Sequence, residues 1–186
     1  MTSDVLETKL GSWGVRVARP CEADVFLSIL EEAERWLDSR GIGQWAPGAH
    51  RPFERELAGY VAAGEVYFVD GRAGPVACCL IRFAPSPFWA DGSEDYGYLS
   101  KLTIRDAVRG HDMGRALLAW AEGRVSDSGR LGVRLDCWAE NERLCRYYEA
   151  SGYRHVGACG GYGGYALALY EKMLGPRPAG PRSNAS

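Results

Sequence analysis

Between Tyr98 and Tyr153 the chain runs strand, glycine-containing loop, helix, strand, helix, and this order constrains the fold more than any other feature. The run Tyr98–Ile104 reads as a strand, and a short loop leads to Arg109-Gly-His-Asp-Met-Gly114, which opens an amphipathic helix. A second strand over Leu131–Trp138 and a second helix over Asn141–Tyr153 follow. A strand that stops at a glycine-containing loop capped by a helix is a ready anion site. The loop N–H groups and the positive end of the helix dipole converge on one point, where a diphosphate fits.

The 186 residues suffice for one domain with a sizeable core. Apolar content of 46% and a formal net charge of −2 describe an ordinary globular chain. Without a basic excess, nucleic acid and anionic membrane surfaces are not expected partners. No stretch approaches the roughly 18 apolar residues of a membrane span. The first residues show neither a basic leader nor an apolar stretch, so the expected compartment is the cytoplasm. Six cysteines (21, 78, 79, 137, 145, 159) form no C-x-x-C pair, and three histidines (50, 111, 155) are scattered. That spacing excludes a metal cluster, and the thiols of Cys78, Cys79 and Cys137 in apolar strands are expected to be reduced and buried.

Upstream, Val15–Pro20 reads as a short strand. A helix over residues 22–39 follows, with Val25, Phe26, Ile29, Leu30, Ala33, Trp36 and Leu37 at helical spacing, stopping at Gly41. A second helix is expected from Pro52 to Gly64. Val66–Val69 and Pro75–Phe83 read as two strands joined by a hairpin-type turn at Asp70-Gly71, and residues 85–95 as a surface loop. Tyr153–Cys159 and Tyr165–Met173 close the pattern as a last strand pair. The domain is expected over residues 1–174, with a disordered tail over 175–186.

The order β-α-α-β-β-β-α-β-α-β-β, with these motifs, resembles the GNAT superfamily of acyl-CoA-dependent N-acyltransferases over roughly residues 13–173. The family's phosphate loop reads Arg or Gln, two residues, Gly, one residue, Gly or Ala. Arg109 and Gly114 fit it and Asp112 departs from it. A further family pattern is Asn, two residues, a small or apolar residue, three residues, Tyr, three residues, Gly, aromatic. Asn141, Leu144, Tyr148, Gly152 and Tyr153 match it.

The resemblance implies an α/β (α+β) fold with a mixed, mostly antiparallel sheet of about six or seven strands, split by a V-shaped CoA cleft and flanked by about four helices. It implies acetyl-CoA as cosubstrate, held by Leu102, Thr103 and Ile104 of the strand, by Arg109, Gly110, His111, Asp112, Met113, Gly114 and Arg115 of the loop and helix start, and by Asn141. The carboxylate of Asp112 suits a helix cap that keeps the loop folded. Tyr148 is implied as the general acid for the departing thiolate, because a tyrosine of pKa about 10 is protonated at neutral pH. Tyr147 points about 100° away around the helix and suits packing.

The strand before the loop has no acid where many family members place a general base; Asp95, Glu94 and Asp136 are the nearest alternatives. Trp36, Trp45, Trp89, Asp95 and Trp138 are expected to line the pocket for the second substrate, an aromatic-walled site suited to an amine. The function implied is transfer of an acyl group, most simply acetyl, to a primary amine of a small molecule by direct attack in a ternary complex. A monomer or homodimer is expected, without a metal. The rival is a CoA-binding sensor or partner module without turnover, which Asp112 and the missing strand acid favour and Tyr148 disfavours.

Overall fold

The structure, a computed structural model, describes residues 4–175. The expected tail lies outside the described residues apart from Gly175. In chain order the elements are β1 (Val5–Thr8), β2 (Gly11–Val17), α1 (Ala23–Ser39), α2 (Glu54–Ala62), β3 (Val66–Gly71), β4 (Gly74–Arg82), β5 (Tyr96–Ile104), α3 (Met113–Asp127), β6 (Gly132–Trp138), α4 (Glu142–Ala150), β7 (Arg154–Gly160) and β8 (Ala166–Met173). Among the described residues they form one sheet of eight strands in the order β1-β2-β3-β4-β5-β6-β8-β7. Every neighbouring pair is antiparallel except β5–β6, which is parallel.

The strand count exceeds the expected six or seven because of β1. Its four residues, Val-Leu-Glu-Thr, bury only Leu6, too short a pattern to read as a strand without its partner β2. The β3–β4 turn also differs: Gly71 pairs with Gly74, so Arg72 and Ala73 make the turn and Asp70 stays in the strand.

Both faces of the sheet are covered, which explains why β3 and β4 read as continuous apolar runs. Val66, Phe68, Cys78 and Leu80 face α1 and α2, where they meet Phe26, Leu27, Ile29, Leu30, Leu57 and Val61. Tyr67, Val69, Ala77, Cys79 and Ile81 face the opposite way, toward α3 and Tyr148 of α4. Full burial of each large apolar side chain stabilises by about 1.5–3 kcal/mol before the entropy of ordering is counted. No helix among the described residues is long and apolar enough to cross a membrane.

The loop between β4 and β5 is anchored rather than free. Trp89, Tyr98 and Leu169 form a small buried cluster on the sheet. Beside it the Arg134 guanidinium lies 3.7 Å from the Tyr96 ring centre and 4.3 Å from that of Trp89. It also makes a bidentate pair with Asp91 at 2.8 Å and an ion pair with Glu171 at 3.0 Å. A buried guanidinium satisfied on both sides holds the loop as part of the core.

Where α3 crosses β5 the packing has no spare room. A Cβ on Gly97 would sit 2.4 Å from Val125 Cγ2, and Val125 is fully buried. Gly97→Ala should therefore lower the unfolding free energy by about 1–3 kcal/mol in denaturant titrations. The loss should shrink in a Val125→Ala background; an equal loss in both would mean that the close approach is not its cause.

Candidate active site

The site begins where β5 and β6 part. Their parallel pairing runs from Tyr96↔Gly132 to Leu99↔Leu135 and then stops, leaving Ser100–Ile104 and Asp136–Trp138 on opposite sides of a cleft. A β-bulge in β5 sits at this point. The β4 register shifts from Leu80↔Ser100 to Cys78↔Thr103, and Lys101 has φ 51°, a left-handed value unusual for a residue with a side chain. The extra residue resets the alternation. Leu99, Leu102 and Ile104 all pack toward α3, which a regular strand would not allow for 99 and 102 together.

At the far end of β5 the loop to α3 curls through Gly110 (φ 83°) and Asp112 (φ 62°). A Cβ on Gly114 would lie 3.5 Å from the Tyr147 hydroxyl and 3.9 Å from Ile104, so the first turn of α3 sits close to both β5 and α4. The Tyr147 hydroxyl is buried there without a hydrogen-bond partner among the described residues. A cavity of about 500 Å³ opens beside the loop, lined by Trp36, Arg40, Ile42, Arg109, Gly110 and Arg143. The guanidiniums of Arg40 and Arg143, with the loop N–H groups beyond Arg109, suit a multiply charged anion.

Tyr148 follows Tyr147 directly on α4 and belongs to the buried cluster between α3, α4 and the sheet. It is 8% exposed and meets the rings of Tyr147, Tyr153 and Tyr170 at 5.4, 5.8 and 6.0 Å. Burial drives its pKa upward, with Cys137, Tyr147 and Asp136 adding to the effect, so the phenol stays protonated. Cys137 and Cys145 bring their Sγ atoms to 3.8 Å just beneath it.

On the α1–α2 face of the cleft the structure assembles a polar chain from three distant segments. Glu34, 1% exposed on α1, accepts hydrogen bonds from the backbone N–H groups of Gly48 (2.7 Å) and His50 (2.8 Å). Its Oε1 also lies 2.6 Å from His50 Nδ1. A carboxylate only accepts, so the His50 proton sits on Nδ1 and Nε2 is left as an acceptor. That Nε2 is 3.1 Å from Lys101 Nζ, which stands over the Trp45 ring at 5.0 Å. Burial lowers the Lys101 pKa against the opposing pull of Asp136, Glu56, Cys78 and Glu34. Burial raises that of Asp136, which Lys101 partly offsets.

A family model described as the acetyltransferase (GNAT) family matches residues 30–153, well over half of the chain. The chain belongs to the GNAT family. An uncharacterized N-acetyltransferase of Bacillus subtilis strain 168, YesJ, is 28% identical over 159 residues, covering 82% of this chain and 86% of YesJ. A GNAT acetyltransferase from Listeria monocytogenes 4b F2365 is 25% identical with a TM-score of 0.72, covering 88% of this chain and 95% of that one. The PaiA N-acetyltransferase of Thermoplasma acidophilum, solved in complex with coenzyme A, shares the fold at 14% identity and a TM-score of 0.66, over 87% of this chain and 99% of PaiA. The GNAT resemblance and the split mixed sheet are thus borne out.

Several side chains stand differently from expectation. Asp112 occupies the helix-start position without capping it; its left-handed backbone sends the carboxylate outward to Lys9 at 2.8 Å. Arg109 turns back onto the Trp36 ring (4.0 Å) and bonds Asp106 and the Ile104 carbonyl, which leaves the loop's N–H groups rather than its guanidinium at the helix start. Trp36 therefore lines the loop cavity. Asn141 caps α4 through Leu144 N–H and donates to Gln44 Oε1 at 2.7 Å, so its amide ties the α1–α2 connection to α4. Trp89 is a buried anchor of its loop, and Asp95 is exposed and bound to Ser93.

Gly110 and Gly114 stand at the loop, His111 and Arg115 are exposed there, and Met113 is buried core. Leu102 and Ile104 are half-buried beside the cleft, with Thr103 buried between them. Trp45 and Trp138 do reach the α1–α2 side. A Cβ on Gly43 would touch Trp138 at 3.2 Å, and the Trp138 indole N–H is buried without a partner among the described residues. Glu34 and His50 went unread as site residues. The one signal for them was an acid on the apolar side of an otherwise acidic-faced helix, at a position shared with Leu30 and Leu37.

His50 is pushed from 6.5 to about 4, by burial first and then by the charge of Lys101, while Glu34 pulls the other way. With a lowered folded value, the unfolded chain takes up the proton first as pH falls. Stability from the neutral imidazole is full above about 6.5 and is lost on acidification toward about 4. The unfolding free energy should fall across that window with a slope steeper, by up to about one proton, than that of His50→Gln. Equal slopes would overturn the buried neutral imidazole.

Proposed function

We propose that this chain is an acetyl-CoA-dependent N-acetyltransferase acting on a primary amine of a small molecule, by direct attack of the amine on the thioester in a ternary complex. The observation that carries the reading is the parting of β5 and β6 beside a loop whose N–H groups and two neighbouring guanidiniums, those of Arg40 and Arg143, suit a diphosphate. Acetyl-CoA supplies an acetyl group activated as a thioester. The remaining requirements fall on this chain's residues, which hold two reactants in register and so supply much of the acceleration.

The fit to the cofactor rests on features of the chain itself. The N–H groups of residues 110–114 and the α3 dipole would hold the diphosphate, with Arg40 and Arg143 adding charge. Backbone groups of Lys101–Ile104, freed from β6 by the split, would hold the amide-bearing arm and polarise the thioester carbonyl. Gly114 leaves no side chain in the path, and the unpartnered Tyr147 hydroxyl faces the same spot. Solved coenzyme A complexes of the fold, PaiA among them, support the same cosubstrate.

Tyr148 is the group assigned to protonate the leaving thiolate, since burial keeps its hydroxyl protonated. Trp45, Trp138 and the Asp136 carboxylate, on the other face, suit an amine on an apolar or ring-bearing body. The protein is read as cytoplasmic and as a monomer or homodimer.

Calorimetry should register acetyl-CoA and CoA binding, and Gly114→Leu should abolish it with the fold intact. No heat and no thermal shift at millimolar ligand would sink the cofactor assignment. The two adjacent tyrosines should then separate. Tyr148→Phe should lower kcat about 10²-fold with CoA affinity kept, whereas Tyr147→Phe should weaken CoA binding and leave kcat nearly unchanged. Wild-type turnover in Tyr148→Phe on the best amine found would make it a packing residue.

A further inference from the structure

We propose that Lys101 is the general base of this enzyme, taking the proton from the acceptor ammonium, with His50 and Glu34 as the positioning residues that aim it. The inference rests on the transfer reading above and supplies the group that reading lacks, because the strand before the loop carries no acid.

Three observations lead there. The bulge spends one residue of β5 without using its side chain in the sheet, and that residue is Lys101, the second beyond the last β5–β6 pair. Its left-handed backbone is an uncommon conformation for a lysine, which points to a local demand that outweighs the cost. Next, Nζ ends on His50 Nε2, the one ring atom that Glu34 leaves as an acceptor. An acceptor satisfies an N–H of Lys101 in either protonation state. Once Lys101 is neutral, that contact keeps an N–H on the His50 side and leaves the lone pair free to face the cleft.

Finally, the surroundings favour release of the Lys101 proton. The groups acting on it are Asp136 of β6, Glu56 of α2, Cys78 of β4 and Glu34 of α1, and together they oppose burial without overcoming it. His50, held neutral, adds no positive charge of its own. Arginine, which keeps its proton throughout the usable pH range, would share the charge of this lysine and none of its base chemistry.

The ammonium of the acceptor gives one proton to the Lys101 lone pair, and the neutral nitrogen attacks the acetyl carbon. The C–N bond forms, the C–S bond breaks, and the sulfur leaves with the Tyr148 proton. The new amide nitrogen loses its second proton, which restores Tyr148. Lys101 returns its proton to solvent, so one proton is released per acetyl group transferred.

The test compares Lys101→Arg and His50→Gln with wild type on two acceptors, an alkylamine that is an ammonium at neutral pH and hydroxylamine, which is neutral there. Thermal shift with CoA checks the fold and the donor site of each variant. For the alkylamine, Lys101→Arg should lose about 10²-fold in kcat/KM at neutral pH, and its rate should keep rising with pH where wild type levels off. For hydroxylamine the loss should stay within about threefold. His50→Gln should move the pH at which the wild-type rate levels off. Equal losses on both acceptors, or wild-type rates on both, would overturn the proposal. Wild-type enzyme that binds CoA and turns over neither acceptor, nor any other amine, would overturn the transfer reading as well.

Discussion

The parallel pairing of β5 with β6 lasts four residues, and the rest of the molecule is organised around its early end. Two strands that share hydrogen bonds at one end and diverge at the other expose backbone polar groups between two packed faces. Such groups are costly when buried without partners. The sheet tolerates the divergence because each strand is paired on its other side, β5 with β4 and β6 with β8. The opening is thus built from backbone, with rigid walls. What differs between the two faces is the chemistry placed over it: loop N–H groups and guanidiniums at one end, and a carboxylate–imidazole–amine chain on the α1–α2 side.

The bulge at Lys101 connects these two features. It turns Leu102 and Ile104 toward α3 and frees one side chain for the opposite face. Without it, the apolar residues of β5 beyond the split would point at the α1–α2 side, and α3 would lose part of its packing surface. One inserted residue therefore serves packing and polar chemistry at once. Arg134 has a comparable double role on β6, where it pairs with Asp91 and Glu171 and packs on the rings of Trp89 and Tyr96.

Much of this was legible in the sequence, and the parts that were not share a cause. Helix α1 showed in its apolar spacing, and α4 in Asn141, Tyr148 and Gly152, because local periodicity and capping carry those signals. The loop at Arg109–Gly114 was legible for the same reason. Strand β1 was not, since four residues with one buried side chain carry no period of their own. The bulge was invisible because Ser100-Lys101-Leu102 reads as ordinary alternation. Glu34 and His50 are 16 residues apart, and His50 and Lys101 are 51 apart; only the tertiary fold brings them together. Trp89, expected at the pocket wall, packs with Tyr98 and Leu169 beside Arg134, a placement that its loop sequence does not encode.

Glu34 has one more consequence. By accepting the N–H groups of Gly48 and His50 as well as facing the imidazole, it ties the whole 41–50 connection to the first helix. Glu34 is thus an internal rivet of the connection, alongside the Asn141–Gln44 bond to α4. An exchange of that connection therefore has to carry the first helix with it and keep a partner for Asn141. The connection is not exchangeable alone, because a grafted loop would leave a bare carboxylate inside the core.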